Sequence, residues 1–268
     1  MNIRMSSVLT MALLSVSVMG CIKEKREMCP CLLIVDFSEI DKEESDSLSL
    51  CIFSPDDILC DQTVRKDDYG RSVSINVPKG EVRLNVFSFA PVKDVFFWDC
   101  FRDGGGTSVT IPSGCECPPV FTLFSRIDAL GEKHVEKVSP LKNFCRLSVL
   151  MRTEYPSSYS VEIQGNVCGY RQDGTMMDGD FRYSPEIGDD GRFGVRIPRQ
   201  KDGSLCLLID DGGGVERRFP LGDYLLRSGY DWTEPSLRDA DVIIDYATTE
   251  VIISVNEWEY VFSAEVLI

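Results

Sequence analysis

Histidine is the scarcest ionisable residue in this sequence, with His134 as the only example among 268 residues. A Ser-His-Asp or Cys-His site needs a histidine as its general base, so any such site would have to use His134. That residue lies in a charged segment, residues 132–137, which has the composition of a linker. The 43 acidic residues make carboxylate pairs unavoidable by chance, and no pair stands out as suited to glycoside hydrolysis. We therefore predict that the protein has no catalytic residues and no cofactor.

Long hydrophobic runs are also lacking. The apolar run at residues 8–19 is too short to cross a bilayer, which needs about 20 apolar residues. Arg4 precedes this run, and Gly20 and Cys21 follow it. A positive charge, a short apolar run and a small residue at its end are typical of a secretory signal peptide. A cysteine at the cleavage point resembles the lipobox of bacterial lipoproteins. We predict cleavage between Gly20 and Cys21 and lipidation of Cys21, the alternative being an ordinary signal peptide beside a chance cysteine.

Positive charge is in short supply, with 28 basic residues against 43 acidic ones and a net charge of −15. Removing residues 1–20 takes away Arg4, which leaves 27 basic against 43 acidic residues and a net charge of −16. Such a surface repels nucleic acid and anionic headgroups, so we expect no nucleic-acid partner. Attachment to a membrane would then depend on acyl chains at Cys21, of which two or more anchor a protein stably.

Cysteine, in contrast, is abundant, and ten of the eleven remain if Cys21 is lipidated. An exported protein can form disulfides, but an even number of cysteines does not fix their pairing. Buried free thiols are the alternative, because cysteine is among the most buried residue types. Cys29 and Cys31, like Cys115 and Cys117, have one residue between them, whereas zinc ligands are usually separated by two to four. We predict no metal site and leave disulfides and free thiols open.

Long helical periods are missing as well, and alternation of polar and apolar residues takes their place. The alternating segments are residues 73–77, 82–86 and 159–164, and shorter apolar runs occupy residues 32–35, 147–151, 205–209, 242–244 and 251–255. Alternation indicates half-buried strands, and many short strands separated by turns favour antiparallel β-sandwiches. The best candidates for short helices are residues 125–130 and 220–228.

A domain boundary is expected near residues 135–142, where the charged segment is followed by Pro140 and a new strand pattern opens at Phe144. We predict a signal peptide at residues 1–20, an N-terminal sandwich at 21–138 and a C-terminal sandwich at 139–268. Each part has the size of one β-sandwich. The sequence contains no recognisable internal repeat.

Three loops could suggest ligand binding. Gly104–106 precedes a strand pattern and Gly212–214 is flanked by acidic residues, so neither resembles a phosphate loop before a helix. The segment from Asp173 to Asp180 lacks the ligand spacing of a calcium loop. We predict that all three are turns.

The order of several segments resembles the fimbrial anchor lipoproteins of the FimB and Mfa types from Bacteroidales. The segments are residues 27–37 (EMCPCLLIVDF), 80–89 (GEVRLNVFSF), 159–165 (YSVEIQG), 169–174, 181–185, 220–226 (PLGDYLL) and 251–258 (VIISVNEW). The resemblance spans nearly the whole chain after Cys21. The chain departs from the family in its many cysteines and in Val82, which replaces a usual aromatic residue.

The resemblance implies two tandem transthyretin-like β-sandwich domains and a non-catalytic role. The implied role is that of a lipid-anchored anchor or accessory subunit that holds a type V pilus in the outer membrane. Its partner would be a fimbrillin-like stalk subunit. Stalk precursors of this system lose their lipidated segment by cleavage after an arginine. Arg26 is the only arginine between Cys21 and the first predicted strand, so cleavage there would remove the lipid but not the strand. The alternative is a glycan- or protein-binding outer-membrane lipoprotein of the same architecture.

Pili of this system assemble by strand exchange, in which a sheet edge accepts an extended segment of a neighbour. The C-terminal residues 251–268 are the candidate donor. Its candidate contact residues are Val251, Ile253, Val255, Trp258, Tyr260 and Phe262. The alternative is that this segment completes its own sandwich, and Trp258 could also stack on a sugar.

Overall fold

A computed structural model describes residues 29–40, 46–88, 108–153, 158–171, 174–213, 216–245, 250–255 and 258–263. The first nine strands are β1 (Cys31–Asp36), β2 (Ser47–Phe53), β3 (Ile58–Arg65), β4 (Ser72–Val77), β5 (Glu81–Ser88), β6 (Ser108–Thr110), β7 (Phe121–Asp128), β8 (Lys133–Lys137) and β9 (Leu141–Lys142). The others are β10 (Phe144–Arg152), β11 (Ser160–Arg171), β12 (Met176–Tyr183), β13 (Arg192–Pro198), β14 (Cys206–Asp210), β15 (Glu216–Phe219), β16 (Ala240–Asp245), β17 (Glu250–Val255) and β18 (Trp258–Ser263). A 3-10 helix at Lys66–Asp68 and an α-helix, α1, at Leu221–Arg227 complete the described elements.

The first sandwich packs a three-stranded sheet, in the order β4-β1-β8, against a five-stranded sheet, in the order β3-β2-β5-β7-β9. Alternation along the strands explains the core, since Leu33 and Val35 of β1 are buried while their neighbours are more exposed. Leu50 and Leu84 of the opposite sheet belong to the same apolar cluster. The two sheets therefore share one core.

The second sandwich is built in the same way from a five-stranded sheet, β13-β10-β16-β17-β18, and a sheet in which β12-β11-β14-β15 are neighbours. Its larger core joins Leu147 and Val242 of the first of these sheets to Ile163 and Leu207 of the second. The prediction of an all-β fold made of two sandwiches is confirmed.

The two sandwiches repeat one topology, although the sequence shows no repeat. Strands β1–β5, β7 and β8 occupy the places that β10–β16 occupy in the second sandwich. In each, the opening strand pairs antiparallel with one neighbour and parallel with the other: β1 with β4 and β8, and β10 with β13 and β16. Among the described strands, the sheets are thus antiparallel apart from one parallel pair in each sandwich. Within the same residues, the hairpin β17–β18 is an addition found in the second sandwich alone.

One helix prediction is confirmed and the other is wrong. Residues 220–228 do contain α1, but residues 125–130 do not form a helix, since most of them belong to strand β7. β7 pairs with β5 along its whole length, and Ile127 is buried opposite Val82. Long-range pairing therefore overrides the local helical preference. The charged segment predicted as a linker contains strand β8, which pairs with β1.

The two sandwiches share residues across the predicted boundary. β6 pairs with β11 of the second sandwich, and Ile111 and Cys117 belong to the second core. A small separate cluster joins Phe87 of β5 to Val167 and Tyr170 of β11. The segment before β7 therefore packs with the second sandwich. The division into domains at residue 138 stays a prediction.

Candidate functional site

The hairpin β17–β18 is the candidate contact site, and its first strand is firmly part of its own sandwich. β17 pairs antiparallel with β16, which places Val251 opposite Ile244 and Ile253 opposite Val242. Val251 and Ile253 are 1% and 0% exposed. Two of the predicted donor residues therefore fill the core of the protein's own second sandwich.

β18 is the outermost described strand of this sheet, and its side chains are more accessible. Tyr260 is 37% exposed and Val261 is 62% exposed. Phe262 stacks on Tyr224 of α1 with ring centroids 5.2 Å apart, and the Arg227 guanidinium lies 4.9 Å from the Phe262 ring centroid. Strand β18 is thus held on its inner side by Phe262, and no other described strand pairs with its outer edge.

The remaining predicted site residues are only partly described. Val255 ends β17 and Trp258 begins β18, where they are paired with each other, but their side chains lie outside the described residues. Gly20 and Cys21 also lie outside the described residues, so cleavage and lipidation stay predictions.

The edge strand β8 of the first sandwich carries a different set of side chains. His134 and Glu136 lie opposite the buried Leu33 and Val35, and so they point towards the inside of the sandwich. Ser125 Oγ of β7 donates a hydrogen bond of 2.6 Å to Glu136 Oε1. His134 Nε2 lies 3.3 Å from Glu136 Oε2. A polar cluster therefore occupies the place where the second sandwich has apolar residues.

Serine, histidine and a carboxylate meet in this cluster, but their order does not suit nucleophilic catalysis. A catalytic serine must donate its proton to the histidine, which the carboxylate orients. Here the Ser125 hydroxyl donates to Glu136 instead, and the imidazole contacts the other carboxylate oxygen. The arrangement ties two sheets together and does not activate the serine.

Nine cysteines fall in the described part of the chain, and Cys117 and Cys145 are among those that are buried as free thiols. Burial raises the pKa of the Cys145 thiol to about 12 and raises the pKa of Cys117 well above its ordinary value. Both thiols are therefore kept in the unreactive protonated form. No group of three or more potential metal ligands occurs among the residues that the structure describes.

The structure describes only part of the three loops that were predicted to be turns. Gly212 and Gly213 form a turn between β14 and β15, in which the Asp210 and Asp211 carboxylates accept the Gly212 and Gly213 amides at 2.8 Å. That segment is a hairpin turn as predicted. Gly104–106 and Asp173 lie outside the described residues. Residues 176–180, predicted as part of a turn, belong to strand β12, where they pair with β11, so that prediction is wrong for most of the segment.

The sequence analysis missed the buried Arg199, which lies where the sandwiches meet. Arg199 Nη2 donates to the Lys142 carbonyl at 2.7 Å, and Nε donates to Asn143 Oδ1 at 3.1 Å. Another guanidinium nitrogen donates to the Trp232 carbonyl. Burial lowers the pKa of Arg199 from its high ordinary value. The residue follows β13 in a polar segment, so nothing in the local sequence marked it as buried.

Comparison with solved structures identifies several proteins of the same fold. A protein from Bacteroides thetaiotaomicron described as a candidate polysaccharide-binding protein matches with a TM-score of 0.69 at 14% identity, covering 87% of this chain and 98% of the other. The fimbrial anchor protein Mfa2 from Porphyromonas gingivalis matches with a TM-score of 0.65 at 14% identity, covering 86% and 99%. A candidate adhesin from Bacteroides ovatus matches with a TM-score of 0.64 at 16% identity, covering 90% and 97%.

No family model matches the sequence of this chain, and no curated protein matches it. In the described part of the chain, no helix is both long enough and apolar enough to pass through a membrane. The structural matches extend over both sandwiches and nearly the full length of their counterparts. The chain therefore has the two-sandwich fold that a fimbrial anchor protein and an adhesin candidate of Bacteroidales also have.

Proposed function

We propose that this protein is a lipid-anchored anchor or accessory subunit of a type V pilus in the outer membrane, exposed at the cell surface and without catalytic activity. The observation that carries the proposal is the match to the anchor protein Mfa2, which covers 99% of that chain with a TM-score of 0.65. The order of sequence segments that resembles this family supports it independently. The partner is a fimbrillin-like stalk subunit.

Cys21 is the proposed anchor point, after cleavage behind Gly20. Nine residues separate Cys21 from β1. Fully extended, nine residues span about 30 Å, so the first sandwich would stay close to the bilayer. Cys21→Ala should abolish acylation and release the protein from the membrane. The measurement is incorporation of labelled palmitate together with fractionation after a high-salt wash. A Cys21→Ala protein that stays in the membrane fraction would contradict the anchor.

The stalk contact is proposed at the C-terminal hairpin, with β18 as the strand that engages the neighbour. Val251 and Ile253 hold β17 in the core. β18 and the residues after it could therefore pair with a neighbouring subunit without opening that core. Deleting residues 259–268 should leave a folded, lipidated protein that sheds its fimbriae. Deleting only residues 264–268 is the matched control, because it leaves β18 in place. The readouts are thermal melting of each truncation and the cell-bound fraction of fimbriae.

These truncations separate the two roles of the hairpin. If β18 only completes its own sheet, deleting 259–268 exposes the edge of β17 and should unfold or aggregate the second sandwich. A stable 259–268 truncation that still holds fimbriae normally would falsify the stalk contact at β18. The first sandwich would then be the place to search for that contact.

Glycan binding is the second candidate, because the match with a TM-score of 0.69 is to a protein described as a candidate polysaccharide-binding protein. Sugars stack on exposed aromatic rings. Among the described residues Tyr260 is the only aromatic side chain among the exposed large apolar ones. Titration of the soluble chain with surface polysaccharides, and of Tyr260→Ala, tests this candidate. Saturable binding that Tyr260→Ala weakens would favour it over the fimbrial role.

A further inference from the structure

The outward face of the sheet β13-β10-β16-β17-β18 carries a continuous row of apolar side chains. Leu150, Ile243, Ile252 and Val261 are neighbours in the strand registers, and each lies on the face opposite the core. The first three are half-buried and Val261 is 62% exposed. Outward positions of a sheet on a soluble surface are normally polar, so a row of four apolar residues across four strands indicates a contact surface.

Charges on the same face are divided between the strands on either side of β16, which itself carries Asp241 and Asp245. β10 and β13 carry Arg152 and Arg192, which are exposed. β17 and β18, on the other side of the central strand β16, carry the exposed Glu250 and Glu259. One half of the face is therefore basic and the other acidic, with the apolar row running across both.

We propose that this face is a docking surface for a second copy of the chain, related by a two-fold axis that runs along β16. Rotation about that axis places β10 of one copy over β17 of its partner, because the two strands flank β16. The basic half of each copy then meets the acidic half of the other. The centre of the apolar row falls on itself, because Ile243 meets Ile243 and Leu150 meets Ile252 of the other copy, while Val261 meets the other copy's Arg192. Aligned packing of two sheet faces about 10 Å apart is the ordinary geometry of a β-sandwich.

The most specific contact of this dimer joins Arg152 to Glu250 of the other copy. Both residues lie level with Asp245 of β16, and they flank it on its two sides. Two-fold symmetry therefore makes this pair twice in one interface. Arg152 also lies beside Asp245 of its own chain, which offsets the approach of the two Asp245 carboxylates near the axis.

The size of the face sets the expected strength. Five strands about 4.8 Å apart and six residues long cover about 20 by 20 Å, so the dimer buries about 800–1,000 Å² in total. That area is at the low end for specific complexes, so the dimer is expected to be weak in solution. The complementary charges add specificity more than affinity.

The first test compares two outward substitutions in the chain comprising residues 22–268, which contains every described residue. Ile252→Glu places a charge in the centre of the apolar row. Leu208→Glu is the matched control: Leu208 is a half-buried outward residue on β14, between Glu162 and Arg218 of the other sheet. Sedimentation equilibrium at protein concentrations from about 1 μM to about 500 μM covers the dissociation constants expected of a weak interface. We expect a monomer–dimer equilibrium that Ile252→Glu weakens by about tenfold or more and Leu208→Glu leaves unchanged.

The second test exchanges the charges. Arg152→Glu and Glu250→Arg should each weaken the dimer by about tenfold, because each places like charges opposite one another twice. The double variant restores opposite charges and should return the dissociation constant to within about threefold of the original. Circular dichroism of each variant verifies the fold.

Three results would overturn the proposal. One is a chain that remains monomeric across the whole concentration range, whether or not Ile252→Glu affects fimbriae on cells. Another is a dimer that Ile252→Glu, Arg152→Glu and Glu250→Arg all leave unchanged, which would place the contact elsewhere. Additional weakening in the double charge variant, in place of rescue, would contradict the two-fold arrangement.

Discussion

Strands β8 and β16 occupy the same place in the two sandwiches, yet one ends its sheet and the other continues it. Both pair parallel with the opening strand of their sandwich. Towards the core, β16 presents the buried Val242 and Ile244, whereas β8 presents His134 and Glu136. Beyond β16 the sheet extends through β17 and β18, while β8 is the last described strand of its sheet.

The difference shows how an inward side chain decides whether a sheet can grow. Apolar inward residues on β16 leave a core that is complete only when Val251 and Ile253 of β17 cover it. On β8, Glu136 bonds across to Ser125 of the facing sheet and closes the sandwich at that point. Charged residues that point inwards also discourage another strand from adding to an edge. The second sandwich is therefore extended and the first is capped.

The largest expected effect comes from breaking the extension in the second sandwich. Ile253→Asp places a carboxylate at a site that is 0% exposed and belongs to the apolar core of the second sandwich. We expect a loss of about 4 kcal/mol or more in the free energy of unfolding, measured by urea titration. Ile252→Asp, one residue earlier and facing outwards, is the matched control and should cost less than about 1 kcal/mol. Equal losses for the two variants would show that β17 does not complete the core.

Alkaline pH should distinguish the sandwiches next, because the second buries Cys145 and Tyr230. Burial is the main cause that raises the pKa of Cys145 to about 12, and it also raises the pKa of Tyr230. Between about pH 9 and 12 the unfolded chain loses the Cys145 proton while the folded chain keeps it. Stability should therefore fall as pH rises, by about 1.4 kcal/mol per pH unit for each such group.

Urea titrations at several pH values between 8 and 11 (about one unit apart) measure this slope. Cys145→Ala removes one titrating thiol. The decline in the free energy of unfolding should then be shallower by the contribution of one proton, about 1.4 kcal/mol per pH unit. Cys29→Ala removes an exposed thiol and serves as the matched control. A decline that is identical in all three proteins would mean that Cys145 is not protected from titration in the folded state.

The smallest change in stability is expected when β8 is made to resemble β16. This substitution is also the most direct test of the comparison between the two strands. His134→Val combined with Glu136→Val removes the bond to Ser125 and adds apolar area facing inwards. These effects oppose each other, so we expect a change within about 1 kcal/mol. The uncapped edge should instead cause association that depends on concentration, measured by light scattering. Glu136→Gln keeps a polar group at the edge and should remain dispersed. A double valine variant that also stays dispersed would show that the polar cluster does not cap the sheet.

Much of the strand pattern could be predicted from the sequence, because alternation is a local property. Residues 73–77 and 82–86 alternate cleanly and belong to β4 and β5. The helix predicted at residues 125–130 is wrong because their apolar spacing fits a helix as well as a strand. Only pairing with β5 decides between the two structures. β6 has three residues, and its partner β11 lies more than fifty residues later in the chain. No local pattern carries that information.

The candidate site was predictable only in part, for a related reason. The apolar run at residues 251–255 correctly indicated a strand, but not whether it fills its own core or another subunit's groove. The sequence Lys-His-Val-Glu-Lys of β8 looks like a solvated linker, because a charged residue that faces inwards has the same local signature as one that faces water. The outward apolar row is invisible in any one strand, since each contributes a single residue.

The central position of β1 has a mechanical meaning if Cys21 is anchored as proposed. β1 lies between β4 and β8, bonded to both over nearly its whole length. A pull on its N-terminal end along the strand would load both ladders in shear, so that many hydrogen bonds must yield together. An edge strand peeled from its end would instead release them one at a time. Leu33 and Val35 would also have to leave the core in the same event. If Cys21 is the anchor, the end of the chain that would be tethered is thus held by a strand suited to bearing load.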